Sequence, residues 1–205
     1  MDKYQLAYIN KDYGDYLRRV DHRVSLKEGR PFLVLMISLN QKQYGIPFTS
    51  QFYRENGMRR NQRTTTEIKT ATTEYGVLLH NNMIPLFNEV ISYIDIEKEE
   101  NNDLLRMENS IIRKDIDNII RKANTVYNQR IANNDSFINS FCCDFEKLEN
   151  ASIEYCRINN IDASRNDILQ SYIEEQTDTK NTNPILDYCK RKAPEQTPPA
   201  TEIQK

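Results

Sequence analysis

Hydrophobic and polar positions change their rhythm twice along this chain. Tyr4 to Ile9 is short and apolar-rich, which predicts a strand. Asn10 then precedes Lys11 to Val24, where Tyr13, Tyr16, Leu17 and Val20 recur at helical spacing, with Asn10 as the N-cap. Ser25 to Arg30 reads as a loop. Phe32 to Leu39 is a continuous apolar run of strand length. Asn40 to Gln43 reads as its turn and Tyr44 to Phe48 as the returning strand. Pro47 there argues for a sheet edge or a strand end, because proline lacks an N–H for the ladder. Thr64 to Thr70 and Tyr75 to Leu79 read as further strands, with a turn at His80-Asn81-Asn82. Met83 to Leu86 and Val90 to Ile94 complete a small antiparallel sheet.

After Asp95 the period becomes helical. Glu99 to Asn133 shows Leu104, Leu105, Ile111, Ile112, Ile116, Ile119, Ile120, Ala123, Tyr127 and Ile131 at helical spacing, predicting a long amphipathic helix. A second helix opens at Ser136, with Phe137, Phe141, Cys142, Phe145, Leu148 and Tyr155 facing inward. A shorter one is predicted from Ala163-Ser164. Beyond Glu175 the chain is polar and proline-rich, and no packed structure is expected. The reading is α+β: one domain over residues 1–160, its sheet in about 3–95 and its helices in about 99–157, followed by a short helix and polar tail over 161–205.

Composition narrows the function. The mean hydropathy of -0.76 implies a modest core. The longest apolar run, Phe32 to Ile37, is far too short to span a bilayer. The opening Met-Asp-Lys-Tyr has no apolar stretch before a cleavage site, so no secretory leader is expected and the cytoplasm is the expected compartment. Four cysteines without a Cys-x-x-Cys pair, beside two histidines, do not supply a zinc site, and reduced buried thiols are expected. Net charge is -2, but unevenly spread. Residues 1–75 carry +5 and residues 76–205 carry -7, which suits a phosphate-facing N-terminal half as readily as chance segregation.

The chemistry follows from hydroxyls and guanidinium groups. Glycine-rich phosphate loops, nucleophile elbows and His-Glu-x-x-His are all missing from the sequence, as is a tight carboxylate cluster in its N-terminal half. An enzyme on phosphate is therefore expected to work without metal or cofactor. Thr49-Ser50 closes the second hairpin strand, Arg30 precedes the first, and Arg54 follows the second. Antiparallel pairing brings those ends together, so the four residues are candidates to grip a phosphodiester. Thr49-Ser50 also suits a simple turn cap. Tyr13 is compatible with core, stacking platform or hydroxyl donor. His80 is a candidate imidazole near neutral pH, with a solvated surface position as its plain alternative.

These residues carry a family resemblance. Tyr13-x-x-Tyr16-Leu17, Arg30-Pro31-Phe32, Tyr44-x-Ile46-Pro47-Phe48-Thr49-Ser50 and Gly76-Val77-x-x-x-Asn81-Asn82-Met83-Ile84-Pro85-Leu86 occur in that order. Together, over residues 3–157, they resemble the ToxN/AbiQ endoribonuclease toxins of type III toxin–antitoxin systems. The resemblance implies a twisted antiparallel sheet of the MazF/Kid kind flanked by helices. It implies metal-independent RNA cleavage by 2′-hydroxyl attack, leaving 2′,3′-cyclic phosphate and 5′-hydroxyl ends. It implies inhibition by a small pseudoknotted antitoxin RNA that the toxin processes from tandem repeats, a higher-order toxin–RNA assembly, and a role in growth arrest and abortive phage infection.

Position by position, the family's helix tyrosine falls on Tyr13, its basic residue on Arg30 and its Thr-Ser pair on Thr49 and Ser50. The family's following proline and lysine are replaced by Gln51 and Phe52. The nearest cations for the second phosphate-binding place are Arg54 and, further on, Lys69. Arg59, Arg60, Arg63 and Lys69 are expected on the RNA backbone, where binding would depend on salt, Tyr53 or Phe52 on an unpaired base, and His80 nearby. A non-catalytic RNA-binding or helical protein-interaction module on the same fold is the alternative.

Overall fold

A computed structural model describes residues 4–24, 32–100 and 102–162. Arg30 and the predicted helix at Ala163-Ser164 lie outside the described residues, as does the polar tail.

The chain begins with β1 (Gln5–Ile9) and α1 (Lys11–Val20). Asn10 caps α1 as expected, its side chain accepting from the Asp12 N–H at 2.8 Å. The helix stops at Val20, earlier than periodicity suggests. Asp21 turns extended because its carboxylate is engaged elsewhere, accepting from Arg23 and from the Asp144 N–H. β2 (Phe32–Leu39) and β3 (Lys42–Thr49) form the predicted hairpin around a two-residue turn. Asn40 and Gln41 both hold left-handed φ, 48° and 67°, the pairing that matches the twist of a tight hairpin. The turn is thus shorter than Asn40 to Gln43, and Lys42 begins the strand.

β4 (Thr65–Lys69), β5 (Glu74–Leu79), β6 (Ile84–Pro85) and β7 (Ile91–Tyr93) complete an antiparallel sheet of order β4-β5-β3-β2-β1-β7, with β6 also on β3. Pro47 is therefore in an interior strand. It pairs across to Val34 on one side. On the other it falls between the β6 pairing at Tyr44 and Gly45 and the β5 pairing at Phe48 and Thr49, where the ladder is interrupted.

α2 (Asn102–Ala132) is the long predicted helix, spanning about 46 Å. The second predicted helix is two: α3 (Ser136–Phe141) and α4 (Phe145–Ile158). The break is set by capping. Asp135 accepts from the first N–H groups of α3 and Asp144 from the Lys147 N–H of α4. α1 packs on α4 through Tyr13, whose ring meets Tyr155 edge-on at 5.0 Å. Where β3, α2 and α4 meet, Tyr44, Tyr127 and Lys42 all donate to the buried Glu149 carboxylate, at 2.6, 2.8 and 3.1 Å. Such a buried charge is tolerable because its oxygens are so fully engaged. Cys142, Cys143 and Cys156 are buried and not joined in disulfides.

Candidate active site

The C-terminal end of β3 is held by β5. Phe48 pairs with Leu78 and Thr49 with Val77. Gly76 permits this approach: a Cβ there would lie 2.4 Å from the Phe48 ring and 2.8 Å from the Thr49 carbonyl oxygen. Thr49 is buried and its Oγ1 accepts from the Gln51 N–H at 3.2 Å, so it turns the chain. Ser50, next along, is exposed. β2 begins at the same end of the hairpin where β3 stops.

Phe52 then folds inward against Val77 and Leu79, forming a small apolar cluster of its own. It is a packing residue and has no face for an RNA base. The chain next makes a tight loop. Tyr53 bridges to Arg59, the Arg54 N–H donates to Met58 at 2.9 Å, and Gly57 takes the positive φ of 77° that the turn requires. Tyr53 is half exposed.

The basic residues of this loop divide sharply by partner. Arg59 donates to Glu67 and to Glu74, each at 2.7 Å, and these carboxylates raise its already high proton affinity. Lys69 pairs with Glu67 at 2.7 Å, and Arg59 and Lys69 together pull the Glu67 carboxyl down to about 2. Arg63 pairs with Asp135. Arg60 instead donates from Nε to the Gln51 carbonyl at 2.8 Å. Burial lowers its proton affinity, and the Arg54 charge beside it lowers it further. The Arg54 guanidinium lies over the Phe141 ring, 4.8 Å from its centre. Among the described residues, neither Arg54 nor Arg60 has a carboxylate partner. Two like charges thus lie near one another, one of them bonded to Gln51 directly after Ser50, an arrangement that favours an anion between them.

Tyr13 and His80 stand apart from this group. Tyr13 is fully buried and donates to the Pro85 carbonyl at 2.8 Å. Burial pushes its hydroxyl far above the ordinary range. Of its three possible roles, core is the one it fills. His80 is also fully buried, not solvated. Its Nε2 lies 2.9 Å from Thr66 Oγ1. Burial, with the Lys122 charge adding, depresses its pKa to about 3, so it stays neutral and out of reach of an RNA chain.

Periodicity turns Phe141 inward, yet it is 38% exposed and lies under Arg54. The carboxylates of Glu67, Glu74 and Asp135 that occupy three of the basic residues carry no signal in a linear sequence. Neither does Lys122, which reaches from α2 to the carbonyls of Gln62 and Thr65 at 3.1 and 3.0 Å and pins the far end of the basic loop.

Residues 5–152 match the family model of Toxin ToxN, type III toxin–antitoxin system. The chain belongs to the ToxN toxin family. It is 28% identical over 162 residues to Endoribonuclease ToxN of Bacillus thuringiensis subsp. kurstaki, covering 72% of this chain and 81% of that protein. It is 24% identical over 160 residues to Endoribonuclease AbiQ of Lactococcus lactis subsp. lactis, covering 73% and 87%. A solved structure from work on selective toxin inhibition by a non-coding RNA pseudoknot in type III systems superposes with a TM-score of 0.65 at 26% identity. It covers 75% of this chain and 98% of its own. The structure of AbiQ, a lactococcal anti-phage endoribonuclease, superposes with a TM-score of 0.65 at 22% identity, over 76% and 99%, and speaks to the fold. This ToxN-family chain is an endoribonuclease, which sets aside a non-catalytic module. Among its described residues, no three His, Cys, Asp or Glu side chains converge as metal ligands would. No described helix is long and apolar enough to cross a membrane.

Proposed function

We propose that the chain cleaves RNA without metal at the Thr49-Ser50 end of β3, by attack of a 2′-hydroxyl on the adjacent phosphate. The products are a 2′,3′-cyclic phosphate and a 5′-hydroxyl. The observation that carries this reading is the pair Arg54 and Arg60, which lack carboxylate partners among the described residues and lie near enough for the charge of Arg54 to act on Arg60, itself bonded to the residue after the exposed Ser50. Charge builds on the nonbridging oxygens in the transition state, and two guanidinium groups already in place meet it without reorganisation. Ser50 donates to the same phosphate or orients the 2′-hydroxyl, and Thr49 fixes the turn that presents Ser50. Arg30, two residues before β2 in the sequence, is assigned to the nonbridging oxygens of the same phosphate. Lys69, the other candidate for the second cation, is taken up by Glu67. With Tyr13 and His80 enclosed, no side chain here is placed as a strong base, and holding the 2′-hydroxyl in line supplies much of the rate.

The same reading extends to the biology. Residues 1–160 are the working domain, with a sheet of the MazF/Kid kind, acting in the cytoplasm. The inhibitor is a small repeat-derived antitoxin RNA, which the enzyme processes and with which it assembles. The substrates are cellular and phage RNAs, and the outcome is growth arrest that limits infection. A pseudoknot-inhibited relative and an anti-phage relative support this. Tyr53, half exposed on the loop, is the base-stacking side chain.

The test is incubation of the purified chain with total RNA in EDTA. Discrete fragments whose 5′ ends need a kinase before ligation are expected. No cleavage until a divalent cation is restored, or 5′-phosphate ends, would overturn the mechanism.

A further inference from the structure

The aromatic pair of α3 and the Asn81-Asn82 motif take no part in the chemistry above, yet both bear on it. The Arg54 guanidinium lies 4.8 Å from the Phe141 ring centre, and the Arg63 guanidinium lies 4.8 Å from that of Phe137. The two rings touch, with centroids 4.8 Å apart. The four side chains form a row whose ends differ. Arg63 gives donors to Asp135, as Arg59 does to Glu67 and Glu74. The Arg54 guanidinium is held by a ring face.

That difference matters chemically. A ring face attracts a cation through its quadrupole and, unlike a carboxylate, brings no oxygen lone pairs to its N–H groups. The donors around the guanidinium rim stay available for phosphate oxygens. A carboxylate in the same place would fix the group as firmly but would neutralise it and occupy its fork.

The ring is itself anchored. Phe141 ends α3, and its carbonyl accepts from Asn81 Nδ2 at 3.3 Å. The Asn81 carbonyl accepts from the Cys143 N–H at 2.8 Å, and the Asn81 N–H donates to Thr64 at 3.2 Å. Asn81 thus ties the end of α3 to the end of the basic loop, with its amide further fixed on Asn82 Oδ1 at 2.7 Å.

We infer that Phe141 is a positioning residue for RNA cleavage, holding the Arg54 guanidinium in place with its donors free at the Thr49-Ser50 end of β3. This rests on the reading of Arg54 as a phosphate-binding cation.

The test uses the full chain with Phe141→Leu, Phe141→Trp, Arg54→Ala and the double variant Arg54→Ala/Phe141→Leu, measuring kcat and KM on an RNA the parent cleaves. Leucine keeps the apolar contact and removes the quadrupole, so kcat should fall roughly three- to tenfold with KM little changed. Tryptophan should stay within about twofold of the parent. In the Arg54→Ala background, Phe141→Leu should have no further effect. An equal loss in both backgrounds marks a merely structural ring and overturns the inference. So does a parental rate for Phe141→Leu when Arg54→Ala is slow. A parental rate for Arg54→Ala instead removes Arg54 from the site, and the inference falls with that earlier reading. As an independent readout, the Arg54 Nε–H proton should resonate upfield in the parent and shift back in Phe141→Leu. An unshifted parent resonance also overturns the inference.

Discussion

Arg60 donates from Nε to the carbonyl of Gln51 across 2.8 Å, which anchors a charged side chain one residue beyond Ser50. The same bond aims the remaining guanidinium donors away from the Gln51 carbonyl. Arg60→Ala should lower the single-turnover cleavage rate about 100-fold, the scale of losing one preorganised donor to a transition-state oxyanion. Circular dichroism should be unchanged. Arg60→Lys keeps the charge without the fork and should recover only part of the rate.

Ser50 is exposed and makes no contribution to the core. Ser50→Ala should relieve growth arrest in cells while retaining the parental melting temperature and antitoxin RNA binding in a gel-shift assay. Arrest as strong as the parent's would remove Ser50 from the site.

The ion pairs of Arg59, Arg63 and Lys69 predict an uneven response to salt. Plots of log affinity against log salt for a non-cleaved single-stranded RNA should lose about 0.7 of slope for Arg54→Ala or Arg60→Ala. Arg59→Ala should change the slope far less, because its charge is already met by two carboxylates.

Gly76 lets β5 lie against the last residues of β3. Gly76→Ala must displace the Phe48 ring and the Thr49 carbonyl, at a cost of about 1–3 kcal/mol. Cleavage should fall by more than this stability loss alone explains, because the displaced strand end carries Ser50. Urea unfolding and initial rates on the same preparation separate the two effects.

Glu108, buried on α2, has its carboxyl pushed up to about 7 by burial, from an ordinary 4.5. Between those values the folded chain keeps a proton that the unfolded chain has released. Stability should therefore fall as pH rises through that window and stay lower above it. Glu108→Gln should match the parent near pH 4.5 and exceed it at pH 8 by up to about 3 kcal/mol, read from urea midpoints.

The strands and the long helix were legible because their apolar periods are long and clean. The hairpin at Asn40-Gln41 and the hydroxyl pair at its far end followed from local chemistry alone. Pro47 misled because the interruption that tolerates it is made by β5 and β6, which arrive from elsewhere in the chain. The split between α3 and α4 was hidden because Phe137, Phe141 and Phe145 keep one helical period across it. The sorting of five cations into paired and unpaired was not legible, since Glu67, Glu74 and Asp135 find three of them only in three dimensions. Phe52 looked like a missing lysine, whereas its neighbours Val77 and Leu79 make it a seal beneath the loop.

The bond from the Asp144 N–H to Asp21 spans 123 positions, and that from Arg63 to Asp135 spans 72. During synthesis, every hydroxyl and guanidinium proposed to grip the phosphate leaves the ribosome well before the Phe141 ring that steadies Arg54 and the Asp135 carboxylate that takes up Arg63. A nascent or prematurely terminated chain thus carries Arg54 without its ring and Arg63 without its carboxylate, and the basic loop gains both contacts only once α3 has been made.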